Sequence, residues 1–156
     1  DPRLRLTGAS VTGIIGGRLL AMTAVGLAIA LGYSVLVALD QDLRHPWAAS
    51  AMLLLTAAVA APFGSLIAAV LPRELEGALA LLSVCAVQML ADPEGLAAKF
   101  LPFWSAREIG TYAVDDASSG HLWRALLHAA VTWLVCAAGT LALFARRLRL
   151  ARYAEP

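Results

Sequence analysis

Three histidines (His45, His121, His128) and two cysteines (Cys85, Cys136) are the side chains of this sequence best suited to metal or nucleophile chemistry. Zinc needs imidazoles and thiolates at ligand spacing, and no C-x-x-C or H-E-x-x-H brings these five together. His121 and His128 would share a face if one helix carried both, a pattern that fits a hydrogen-bonded or interfacial histidine better than a ligand pair. Both cysteines lie in apolar surroundings and read as small buried residues, without a disulfide framework. A G-x-x-x-x-G-K-[ST] loop to cradle ATP phosphates is missing, as is a G-x-S-x-G nucleophile elbow. The sequence thus assembles no catalytic constellation and no cofactor site of its own, and the chain reads as a non-enzyme. Gln88 is the only side-chain amide in any strongly apolar stretch. With Thr56 and Ser83 it is a candidate for lining a polar path, although an amide in an apolar helix serves equally well as an interhelical hydrogen bond.

The elements that must position these groups are set by where charge is absent. Of the 156 residues, 60% are apolar and 15% charged, and residues 19–39, 47–71, 77–91 and 125–145 contain no Asp, Glu, Lys or Arg. A helix in water needs a polar outer face, and these runs have none. At about 1.5 Å per residue they reach roughly 31, 37, 22 and 31 Å, against a hydrocarbon core of about 30 Å. The net charge is only +1, without the basic stripe that a nucleic-acid binder needs. The predicted fold class is therefore all-α: a polytopic membrane helical bundle, multi-pass in the plasma membrane and in contact with its lipid.

Charge also decides the number of crossings. With four spans, Arg3, Arg5, Arg18, Arg73, Arg146, Arg147, Arg149 and Arg152 share one side, leaving Arg44, Lys99, Arg107 and Arg124 on the other. Three spans would split the same bases almost evenly. Lys and Arg near span ends collect on the cytoplasmic side, which favours four transmembrane helices with both termini cytoplasmic. The four arginines of the 146–156 tail are explained by attraction to anionic headgroups.

Residues 92–121 form the most mixed segment. They alternate charge with Phe100, Phe103 and Trp104 and are interrupted by Pro102 and Gly110. One reading is a solvated loop with an interfacial aromatic belt. The other is a re-entrant helical hairpin between the last two spans, two short helical pieces broken near Pro102 and dipping toward the bilayer. The shortness of the 77–91 run favours the second. Residues 8–18, Gly8 to Arg18, read as a short amphipathic stretch at the membrane surface, in which Gly13 and Gly17 would let another helix approach closely.

Three features together resemble the later part of an ABC-2-type transporter permease: the stretch from Ala9 to Ala21, the motif Phe100-Leu101-Pro102-Phe103-Trp104, and the closing Trp133 with Arg146-Arg147. On that resemblance the four runs are similar to spans three to six, within a larger permease. Val11-Thr12 stand where the family often carries Ser-Pro. The resemblance implies an exporter of an amphipathic compound, a lipid or a polysaccharide. Two permeases, identical or homologous, would pair with ATPase subunits that bind ATP and magnesium. It further implies that residues 1–18 couple to the ATPase, through Ser10, Ile14, Ile15 and Arg18. Phe100, Pro102, Phe103 and Trp104 would form an external cap. The competing expectation is a non-transporting membrane scaffold or assembly subunit, supported by the scarcity of polar groups in the spans.

Overall fold

The computed structural model describes residues 11–41, 43–71, 73–92, 95–115 and 118–153, with side chains described over 13–146. Ser10 and the rest of residues 1–10 lie outside the described residues, as do 154–156. The described residues form, in order, α1 (Val11–Asp40), α2 (Pro46–Val70), α3 (Glu74–Leu90), the 3-10 turn Ala98–Phe100, α4 (Trp104–Val114) and α5 (Gly120–Tyr153). No strand occurs among the described residues. The all-α expectation is met.

Among the described residues, three helices are long and apolar enough to cross a membrane: Gly13–Asp40, Pro46–Val70 and Gly120–Arg146. The run at 77–91 forms a helix of 17 residues. At about 1.5 Å per residue that is roughly 25 Å, short of a full bilayer core. Its first turn carries Glu74 and Glu76 and none of its residues is buried. Leu20, Val25, Ile29 and Leu36 of α1, with Leu127, Leu134 and Val135 of α5, are all largely exposed. A coat of large apolar side chains on this scale suits hydrocarbon, not water.

The bundle is organised around α2, which packs on α1, α5 and α4, while α3 touches it only lightly. Small residues set these contacts, as they do where helices share an apolar solvent and gain only from close packing. A side chain at Gly26 of α1 would meet Ala57 of α2 at 3.6 Å, and one at Gly139 of α5 would meet Leu66 of α2 at 3.0 Å. By contrast, no described residue lies within 4 Å of the space beside Gly17. Pro46 starts α2, where its missing N–H costs nothing. Pro62 lies within the same helix, and α2 continues through it to Val70.

The surface-lying stretch expected before the first span is instead the opening of α1, which runs without interruption from Val11 to Asp40. Likewise α5 carries the basic tail onward as helix to Tyr153. A small core of Ala48, Ala49, Ile109, Ala113 and Ala125 joins the start of α2, the middle and end of α4 and the start of α5. That core fixes α4 against the two helices that flank it.

Candidate functional site

The functional candidates converge where α4 meets α2, α3 and α5. Phe103 and Trp104 lead into α4 and point into the bundle. The Phe103 ring meets Phe63 of α2 edge-on with centroids 5.7 Å apart, and Trp104, 7% exposed, meets His128 of α5 at 5.2 Å. Phe63 lies between four and five turns into α2 at about 3.6 residues per turn. The opposite end of α4 sits at the α1–α2 connection, where the His45 amide donates to the Ala113 carbonyl over 3.2 Å. His45 also stacks on Tyr112, and Trp47 meets the same ring edge-on. Within the expected cap, then, Phe103 and Trp104 anchor inward and Pro102 is half-buried, while Phe100 is 88% exposed and faces away.

Two polar ties hold this segment to its neighbours. Toward α3, the Phe103 amide donates to Gln88 Oε1 over 3.1 Å, and Arg107 Nη1 donates to the carbonyls of Ala91 (2.8 Å) and Gln88 (3.3 Å). Arg107 thereby satisfies carbonyls at the end of α3 that no further helical turn could reach. Toward α5, Glu108 Oε2 lies 3.1 Å from His121 Nδ1 and 3.3 Å from Arg124 Nη2. Glu108 is 15% exposed at its side chain, His121 25% and Arg124 55%. Neither contact is aligned as a hydrogen bond, so the attraction is one of charge. It is stronger when His121 is protonated.

His121 and His128 both face the segment that precedes and forms α4, as their spacing predicts. His128 Nε2 is 3.0 Å from the Lys99 carbonyl. A carbonyl only accepts, so Nε2 carries the ring proton. Its Nδ1 is buried and without a partner.

The three candidates for a polar path are not brought together. Thr56 donates to Met52 O within α2, and Ser83 donates to Leu79 O within α3 on an exposed face. Both hydroxyls are thus satisfied by their own helices. Gln88 is committed to the Phe103 amide. Of the coupling candidates, Ile14 and Ile15 are partly exposed and Arg18 is exposed on α1.

Sequence reasoning missed the Glu108–His121–Arg124 cluster and the Arg107 cap. Both join positions far apart in the chain, across no fixed spacing. A charged pair beside an aromatic, proline-broken motif was the one available signal, since such charges need partners when the segment packs.

The fold defines a multi-pass α-helical membrane protein. No protein-family model, curated protein or solved structure matches the chain.

Proposed function

We propose that the chain is the membrane-spanning part of an ATP-driven exporter, resembling an ABC-2-type permease, that moves an amphipathic compound, lipid or polysaccharide. In this reading α3 is a fourth, short crossing, both termini are cytoplasmic, and residues 92–121 dip from the outer side as a cap. A separate ATPase subunit binds ATP and magnesium, and a second permease copy or homologue completes the path. The observation that carries it is the unbroken helix α1. A rigid rod bearing Ile14, Ile15 and Arg18 at one end can pass movement of an attached ATPase directly into the first span. Ile14 and Ile15 supply apolar contact, and Arg18 sits at a polar rim where it adds little affinity alone.

The test is to replace Ile14 and Ile15 together with Asp and reconstitute the chain with the ATPase it co-purifies with. Substrate-stimulated ATP hydrolysis should fall to its unstimulated level while the chain still inserts and folds. Normal binding and transport by that variant would reject the coupling role.

A second reading, a membrane scaffold without transport, is favoured by one observation: the Thr56 and Ser83 hydroxyls and the Gln88 carbonyl oxygen are engaged within the chain. Purification with stoichiometric membrane partners but no ATPase would select it.

A further inference from the structure

A cleft of about 530 Å³ opens between α3 and α4, with Met52 of α2 at its wall. Its walls are Met52, Cys85, Met89, Phe103, Ala106 and Gly110, with Gln88 and Arg107 as the polar contributors. That volume lies within the roughly 300–1,000 Å³ typical of small-molecule sites. Apart from Gln88, whose Oε1 accepts from the Phe103 amide, and Arg107, the walls are apolar and suit a hydrocarbon chain. Met89 of the lining, like Leu82 and Val87 elsewhere on α3, is largely exposed.

Arg107 makes the cleft more than an apolar gap. Its Nη1 caps the end of α3, and among the described residues Nη2 and Nε have no partner. The neighbouring carboxylate, Glu108, is already engaged by His121 and Arg124 on the α5 side. Arg107 is the one charged side chain in the lining, and an anion that reaches a half-buried guanidinium in largely apolar surroundings gains accordingly. Guanidinium matches phosphate oxygens through parallel N–H donors.

We infer that this cleft binds one anionic phospholipid, its acyl chain lying between α3 and α4 and its phosphate on Arg107. The site goes beyond the export reading and stands or falls without it, because binding here needs neither an ATPase nor transport.

Cys85 supplies the measurement, since it lines the cleft and is exposed, whereas Cys136 is buried. The chain is purified in an uncharged detergent, and alkylation of Cys85 by N-ethylmaleimide is followed by peptide mass spectrometry. Phosphatidylglycerol and phosphatidylcholine with identical acyl chains are added in separate arms, with inorganic phosphate in a third. Phosphatidylglycerol should slow alkylation about ten-fold relative to phosphatidylcholine, the factor one charge-assisted contact supplies. Inorganic phosphate should leave the rate unchanged.

Arg107→Gln should erase the difference between the two lipids. Ala106→Phe fills the cleft while keeping Arg107, and should likewise make the lipids equivalent, so that a loss of the α3 cap in the first variant does not decide the matter. Equal protection by both lipids in the unmodified chain overturns the proposal. So does protection by phosphate alone, or a phosphatidylglycerol effect that survives Ala106→Phe.

Discussion

At the level of single residues, Glu108 is the acid on which two bases from another helix converge. His121 at 3.1 Å and Arg124 at 3.3 Å both come from α5, so removing the Glu108 charge takes away the acid that the two bases share across the α4–α5 contact. Replacing Glu108 with Gln is expected to cost about 1–2 kcal/mol, at the upper end for partly exposed pairs because Glu108 itself is largely covered. Thermal unfolding in detergent would measure it. Arg124→Gln should cost less, since Arg124 is the more exposed partner and His121 remains. Equal losses from both changes would mean that Arg124, not His121, carries the attraction. Trp104 poses a different question, because it packs on His128 without an ion pair. Trp104→Ala should lower stability by about 3 kcal/mol, as truncating a buried aromatic does. A cap that gates a path should also change transport per folded molecule; an unchanged value would make Trp104 a passive anchor.

Among the helices, glycine has opposite meanings at two positions. Gly139 faces Leu66 so closely that an added carbon would sit 3.0 Å from it, whereas no described residue comes within 4 Å of that space at Gly17. Gly139→Leu should therefore destabilise the α2–α5 contact by about 1–3 kcal/mol through overpacking, and Gly17→Leu should leave the folded chain unchanged. Guanidinium-free denaturation by heat or by sodium dodecyl sulfate would rank the two. The difference also shows what was legible beforehand. The long helices were readable because the absence of charge over 19–39, 47–71 and 125–145 is a property of each segment alone. The break at Pro102 was readable for the same reason: a missing amide donor is local, and the chain turns there between the 3-10 turn and α4. Which glycine packs and which does not depends on the partner helix, and nothing in a G-x-x-x-G spacing specifies a partner. Gln88 illustrates the same limit. Its apolar surroundings marked it as needing a hydrogen bond, but the choice of the Phe103 amide was made by α3 ending where Phe103 begins the approach to α4.

Across the whole molecule, the open matter is which way the bundle sits, and charge offers an answer that geometry makes testable. The α1–α2 connection, the end of α4 and the start of α5 lie at one end of the bundle, tied by the bond from His45 to Ala113 and the core around Ala48 and Ala125. The α2–α3 connection and the far ends of α1 and α5 belong to the opposite end, where Arg18, Arg73 and Arg146 collect. Because Lys and Arg near span ends stay on the cytoplasmic side, the second end should face the cytoplasm. This assignment requires α3 to complete a crossing despite its length of 17 residues, which a locally thinned bilayer or the covering α4 segment permits. Single cysteines placed at Arg3, Ser118 and Ala154, with Cys85 and Cys136 replaced, would separate the alternatives in intact cells. A membrane-impermeant maleimide should label Ser118→Cys from outside and reach Arg3→Cys and Ala154→Cys only after lysis. If α3 did not cross, the chain would make three crossings, and an odd number of crossings leaves Arg3 and Ala154 on opposite sides. Opposite labelling of the two ends would therefore remove the fourth span, and with it the arrangement in which residues 92–121 cap the outer face.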